Sequence, residues 1–377
     1  MTTLLTPSHD EVAVREIAAH CAAQVHDDAH GPQTVFAAPA GAVNASAPGS
    51  VALLLDWGIV SARGADALAF MHGQTTNAIA DQAADEMRLN GYCSPKGRLL
   101  AGGPLWHGDD ELCFAVARSL AAPLSKRLAM FVLRAKLKVT DRSDDFAVLG
   151  LAGPAAAGTL AAAGISAPAP MKLARPSPTS TLPAGSVAIG LPEVDGYGPR
   201  WWLVVPVGAL AGLWPRLIQE LAPRPSAWWR AGDILAGWPR ILSATSERFV
   251  PQSVNWELIG AVSFDKGCYP GQEIVARLHY RGKPKRRSFI GRIAGAAQTG
   301  AGAPGDDLYD NAGRPAGTIV ATAPGSHDEC LLMYEAPIAS LEGGMLKTAA
   351  DQVIEALPMP YPIPVDTSGQ RSAGQEA

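Results

Sequence analysis

The run Lys266-Gly267-Cys268-Tyr269-Pro270-Gly271-Gln272-Glu273 sets one thiol between two glycines, beside a lysine and just ahead of a helix-forming stretch. Tyr269 to Gln272 carries the signature of a type II turn, with proline second and glycine third, where glycine accepts a positive φ without steric cost. Cys268 is therefore predicted on a sharp bend. Gln272 to Arg277 predicts a helix, which brings the thiol near a positive helix terminus and near the Lys266 ammonium, both of which favour thiolate. This is the setting of a nucleophilic or redox-active cysteine, with Lys266 supplying charge and Glu273 orienting the turn or accepting a proton. The competing reading is a small apolar residue in a structural turn. The rate of alkylation separates the two.

A second chemical feature is cationic. Arg277, Arg281, Lys283, Lys285, Arg286 and Arg287 crowd together, with His279 and Tyr280 among them. Such a patch suits an anionic ligand or an acidic partner; the competing reading is a solvated connection between two units. Gly282 and Pro284 break it into turns, which argues against an amphipathic membrane helix. No recognised nucleic-acid module accompanies the charge, so direct nucleic-acid binding is not expected.

The elements that must position these groups follow from composition. A chain of 377 residues suffices for two or three compact units. Lys plus Arg number 31 against 35 Asp plus Glu, so no global field draws the chain to nucleic acid or anionic membrane. Cys21, Cys93, Cys113, Cys268 and Cys330 are scattered without a Cys-x-x-Cys pair, which argues against a disulfide framework and a self-contained metal site. No stable metal is expected. The N-terminus lacks a secretory pattern, and the longest apolar runs, such as Leu203 to Leu213, are broken by Pro and Gly. The expectation is a soluble cytoplasmic protein.

Residues 1–50 read as an extension and linker, with helical composition from Glu11 to Ala29 and a small-residue loop from Ala37 to Ser50. Residues 51–285 read as an α+β body: a strand over Val51 to Trp57, a helix over Gly64 to Asn77, strands at Glu111 to Ala117 and Phe146 to Leu151 around a helix from Ser119 to Leu128. A loose Ala- and Pro-rich stretch from Ala152 to Gly190 precedes a strand at Trp201 to Val207 and a helix from Ala209 to Leu221. Residues 286–357 read as a small β-barrel with runs at Ser288, Gly317 and Cys330. Residues 358–377 read as an extended, then disordered, tail.

The octet and its continuation Ile-Val-Ala-Arg277-Leu-His-Tyr-Arg281-Gly-Lys resemble the signature of the YgfZ family of folate-binding proteins, which are linked to iron–sulfur cluster assembly or repair. Leu55-Asp56-Trp57, Gly73-Gln74-Thr-Thr-Asn77, Cys93-Ser-Pro-Lys96-Gly97-Arg98 and Phe249-Val-Pro-Gln252-Ser-Val-Asn255 match in the same order, from about Val51 onward. That family resembles the T-protein of the glycine-cleavage system, an aminomethyltransferase that uses tetrahydrofolate. The resemblance implies an α+β body with a central cavity, a C-terminal β-barrel, and tetrahydrofolate or a derivative as cofactor. It implies Trp57 and Trp229 as aromatic walls of that cavity, with Tyr269, Gln272 and Arg230 also contributing to cofactor binding. A folate polyglutamate tail then becomes one candidate for the cationic patch. Two departures stand out. The segment Asn90-Gly-Tyr-Cys-Ser-Pro-Lys96 lacks the T-protein's catalytic aspartate, and Leu235 replaces a glutamate that anchors the pterin there.

Three functions stay open on these residues. The leading one is a folate-dependent accessory factor for iron–sulfur proteins, with Cys268 as the key thiol and radical-SAM tRNA methylthiolation enzymes among its partners. The second is a folate-dependent aminomethyl or methyl transferase, against which the two departures count. The third is a non-enzymic folate-sensing or RNA-binding module.

Overall fold

The computed structural model describes residues 9–36, 48–282, 284–296, 301–325, 328–342 and 345–364. The chain opens with helix α1 (His9–Ala19) and a hairpin of β1 (Ala23–Asp28) and β2 (Gly31–Phe36). The body continues through β3 (Ser50–Leu53), β4 (Trp57–Arg63), α2 (Ala67–Gln74), β5 (Met87–Cys93), β6 (Leu99–His107), β7 (Glu111–Ala117), α3 (Arg118–Ala129) and β8 (Lys138–Asp141). Next come β9 (Phe146–Ala152), α4 (Pro154–Ala162), β10 (Leu173–Ala174), β11 (Val187–Val194), β12 (Gly198–Pro206), α5 (Leu210–Glu220), β13 (Ala222–Pro223) and α6 (Ser226–Leu235). After α7 (Gln272–Tyr280) the C-terminal part holds β14 (Arg286–Ala294), β15 (Asp307–Tyr309), β16 (Pro315–Pro324), β17 (Glu329–Pro337) and β18 (Glu355–Leu357).

The body rests on two sheets. One is antiparallel in the order β5-β6-β7-β4-β8, and the other runs β10-β11-β12-β9-β3-β13, with only β13 parallel to its neighbour. Side-chain alternation explains why β9 and β12 read as unbroken apolar runs: both faces of this sheet are covered. Ala147, Leu149 and Leu151 pack with Val14, Ile17, Leu160 and Leu217 under α1, α4 and α5. Val148 and Ala152 face the central core, shared with Trp57, Phe114 and Trp229. Each such large side chain contributes about 1.5–3 kcal/mol by leaving water. The mixed α+β architecture is the one expected.

The C-terminal sheet has the order β15-β16-β17-β14-β18, and it does not close into the barrel that was expected. β15 and β18, three residues each, form the two edges and pair only inward, with β16 and β14, among the described residues. Isolated bridges Tyr309 to Lys347 and Lys347 to Val353 bring the two edges near each other instead. Leu331 and Met333 on β17 join the central core, whereas Cys330, Leu332 and Tyr334 form the sheet's own core.

The N-terminal residues differ from their reading. The helix ends at Ala19, and Ala23–Phe36 forms a hairpin whose Gly31 has φ +106°. Strand pairing overrides the helical composition of Ala23 to Ala29, while the residues before it keep their helix and bury Val14 and Ile17. The hairpin is wedged between α6 and β16: Arg230 donates to Gln33 Oε1 at 2.6 Å and to Thr322 O at 2.8 Å, and Thr34 donates to Leu53 O at 2.7 Å. Most of the expected linker, residues 37–47, lies outside the described residues, as do Lys283 and residues 365–377 of the tail. The described part of the tail is irregular and anchored by Tyr361, which donates to Gly237 O at 2.7 Å.

Candidate functional site

The thiol turn has the predicted geometry. Gln272 N donates to Tyr269 O at 3.2 Å, and Gly271 sits at φ 79°, ψ 3° and caps α7. A Cβ on Gly271 would run into Ser94 O and lie 2.6 Å from Gly97 Cα; Gly97 itself has φ +69°. Two motifs far apart in sequence thus nest backbone against backbone, which only glycine permits. Gly267 does not share this constraint: its φ is not positive and a Cβ there meets open space. Cys268 is exposed while the other four cysteines are buried. Burial pushes the Cys21 and Cys93 thiols up to about 12, and raises those of Cys113 and Cys330. Cys268 is the one accessible thiol.

Lys266 differs from its expected role as a charge for the thiol. Its ammonium donates to the carbonyls of His72, Thr75 (2.6 Å) and Asn77 (3.2 Å), which uses all three of its donors. α2 ends at Gln74, so its last carbonyls lack helical partners, and a lysine is a natural cap. Burial draws the Lys266 pKa down to about 8. Glu273 is exposed in the first turn of α7, where a carboxylate complements the helix dipole.

The remaining motifs converge on the same scaffold. Thr76 donates to Ala261 O at 2.7 Å and accepts from Gly91 N at 2.8 Å, while Asn77 donates to Gly260 O at 2.7 Å and Leu89 O at 3.0 Å. Phe249 O accepts from Leu99 N at 2.8 Å, Gln252 donates to Val275 O of α7 at 2.7 Å, and Asn255 donates to Ser288 O of β14 at 2.7 Å. Side-chain amides and hydroxyls here replace secondary structure as the means of joining segments.

Deeper in the body, Trp57, Gly102, Asp233, Trp238, Arg240 and Trp256 surround a cavity with a free volume of about 20 Å³. Arg240 pairs with Asp56 at 2.5 Å and lies 4.0 Å above the Trp57 ring, whose edge meets Trp202 at 4.6 Å. Asp233 pairs with Arg200 at 2.5 Å; burial pushes the Asp233 carboxyl upward, against the pull of Arg200. Asp56 Oδ1, Arg240 Nε, two Arg200 nitrogens and the indole N–H groups of Trp202, Trp229 and Trp256 are buried without hydrogen-bond partners. Each such group costs about 1–3 kcal/mol unless a polar partner reaches it. Of these, Arg240 Nε and the Trp256 indole N–H belong to residues that line the cavity, and they are donors open to a polar, flat molecule or to water.

Trp57 thus lines the cavity. Trp229 does not: it is 1% exposed and packed 2.6 Å from where a Cβ on Gly150 would sit, with Arg200 over its ring at 4.6 Å. Arg230 is taken up by the hairpin, through Asp28 as well as Gln33. Tyr269 is buried with its hydroxyl unpaired, and half-buried Gln272 begins α7; neither lines the cavity. Of the cationic stretch, Arg277, Arg281 and Lys285 are exposed. Arg286 and Arg287 are not free for an anion, because alternation on β14 sends them to opposite faces, onto Glu335 and Glu257. Asp56, Asp233, Arg240 and Trp256 were missed as site residues. The available signal was charge beside tryptophan, in Asp56-Trp57 and Trp238-Pro-Arg240.

No family model matches the chain. It is 33% identical over 272 residues to the tRNA-modifying protein YgfZ of Sodalis glossinidius, covering 71% of this chain and 79% of that one. Identity is 31% over 282 residues to the protein of that name in Shigella sonnei, with 74% and 82% covered. For Yersinia pestis it is 32% over 290 residues, with 76% and 84% covered. Among solved structures, the glycine cleavage system aminomethyltransferase T from Bartonella henselae superposes with a TM-score of 0.68, over 92% of this chain and 95% of that one, at 14% identity. That likeness is one of fold. No helix among the described residues is long and apolar enough to cross a membrane. With its five motifs brought onto one scaffold and its relatives matched over most of their length, the chain belongs to the YgfZ family.

Proposed function

We propose that this chain is a cytoplasmic folate-binding accessory protein for iron–sulfur cluster assembly or repair, that its polar centre holds the pterin of a tetrahydrofolate, and that Cys268 is its working thiol. The observation that carries the reading is a cavity walled by Trp57, Trp238 and Trp256 beside Asp233 and Arg240, on which Arg240 Nε and the Trp256 indole N–H are buried without partners. A pterin is flat, with donors and acceptors along one edge. Indole faces and the Arg240 guanidinium would stack on it, contributing about 1 kcal/mol beyond area burial. Asp233 would accept its N–H groups, and Arg240 Nε and the Trp256 indole N–H would donate to its ring nitrogens. The donor set fits such a ligand; a free volume of about 20 Å³ requires the cavity walls to move apart on entry.

Cys268 adds an accessible sulfur that can take part in thiol exchange or bind iron passed between proteins. One accessible thiol per chain fits transient handling, with any cluster shared with a partner. The relatives' name supports a link to tRNA modification, which reaches this chain indirectly through clients such as radical-SAM tRNA methylthiolation enzymes. The transferase alternative draws no support from the site, since Leu235 offers no carboxylate.

Two experiments test the reading. Quenching of tryptophan fluorescence by 5-formyltetrahydrofolate should saturate, and Trp57→Ala should weaken binding about tenfold, or 1.4 kcal/mol; unchanged affinity moves the ligand elsewhere. A deletion strain carrying Cys268→Ser should lose activity of cluster enzymes and tRNA methylthiolation. Full rescue removes the thiol from the mechanism.

A further inference from the structure

A cleft of about 740 Å³ opens where the body, the end of α7 and the C-terminal sheet meet. It is far roomier than the polar centre and falls in the range of small-ligand sites. Phe249, Val250, Leu278 and Pro284 give it apolar walls, and Arg98, Arg248, Lys285 and Arg286 give it positive charge against Glu247 and Glu335.

The four cations are not equivalent. Arg286 is held by both Glu335 oxygens, at 2.7 and 2.6 Å, and Arg248 is tied to Gly305 O and, at 3.5 Å, to Asp307. Arg98 donates once, to Arg248 O, and keeps most of its five donors free. Lys285 is exposed, with no side-chain partner among the described residues. A separate observation points the same way. Gln252 lines the cleft, is 2% exposed, and spends its amide N–H on Val275 while its Oε1 has no partner. A buried, unpaired acceptor in a cleft with two uncommitted cations suits a molecule that carries an N–H donor and a negative group.

We propose that this cleft is a second ligand site, for a small organic anion of up to nucleotide size. Its apolar body rests against Phe249 and Leu278, its phosphate or carboxylate meets Arg98 and Lys285, and an N–H group reaches Gln252 Oε1. The site is independent of folate binding at the polar centre.

Calorimetric titration of the full chain with AMP, citrate and inorganic phosphate tests it, at low and high salt. Expected is saturable binding of AMP, tighter than that of citrate or inorganic phosphate and weakened by salt. Citrate carries negative charge without an apolar body or an N–H group, so AMP favoured over citrate reads the Phe249, Leu278 and Gln252 contacts, and the reverse counts against them. Lys285→Glu and Arg98→Ala should each weaken binding about tenfold, while Arg134→Glu, on an exposed loop outside the cleft, leaves it unchanged. Lys285→Glu changes only an exposed side chain, so it remains informative should Arg98→Ala disturb the fold. The proposal is overturned if AMP does not bind up to about 10 mM, or if citrate or inorganic phosphate binds as tightly. Equal loss in Arg134→Glu, marking general charge attraction, overturns it too.

Discussion

The polar centre and the thiol turn are held in place by opposite means. At the centre, Asp56 with Arg240 and Asp233 with Arg200 are buried charge pairs, positioned by side chains that cross between sheets and helices. At the turn, Cys268 touches little, and its position comes from backbone: a type II turn, a glycine pressed on a glycine, and a lysine capping α2. The centre is suited to holding a polar ligand still, because moving any of its groups strands a charge. The turn is suited to presenting a sulfur to a visiting molecule. Removing a side chain should therefore damage the first region most, and adding one should damage the second.

The largest effect is expected at the centre. Arg240→Ala leaves Asp56 buried without its partner and should cost about 3–5 kcal/mol in urea unfolding; a loss below about 1 kcal/mol would show that water replaces the guanidinium. Next comes the turn's own internal comparison. Gly271→Ala adds a Cβ against backbone at φ +79° and should cost about 2–4 kcal/mol, whereas Gly267→Ala should stay within about 0.5 kcal/mol. Equal effects would mean that the nested glycines do not hold the turn.

Lys266→Met strands three carbonyls and should cost about 1–3 kcal/mol. The wild type should also show a pH signature that this variant lacks. The folded pKa near 8 lies below the ordinary lysine value of 10.5, so the unfolded chain binds more protons between them. Stability should rise with pH across that window, and a flat difference between the two proteins would show that the carbonyls hold the charge as well as water does. The smallest effect on stability belongs to Cys268→Ser, within about 0.5 kcal/mol. Iodoacetamide should label one thiol in the native protein and five after denaturation; two or more native labels would contradict the burial of the other cysteines.

Legibility followed the range of the interaction. The Tyr269-Pro270-Gly271 turn and the helix after it were readable because dihedral preferences act within a few residues. The strands β9, β12, β14, β16 and β17 were readable from apolar runs. The N-terminal hairpin was not, since its pairing and its seat between α6 and β16 depend on Arg230 and Thr322, distant in sequence. Trp57 and Trp229 looked alike as aromatic candidates, yet one lines the cavity and the other fills the space left by Gly150. Arg286 and Arg287 looked like one patch until strand alternation separated them.

The amino-acid order alone determined the α+β class, the bend that carries Cys268 and the family to which five ordered motifs point, because these rest on local geometry and residue type. Only the tertiary structure decided which charges are spent internally, which tryptophan faces a cavity and where Lys266 sends its ammonium. Those outcomes depend on partners far away along the chain, and a buried polar atom is satisfied or stranded by neighbours that only folding supplies.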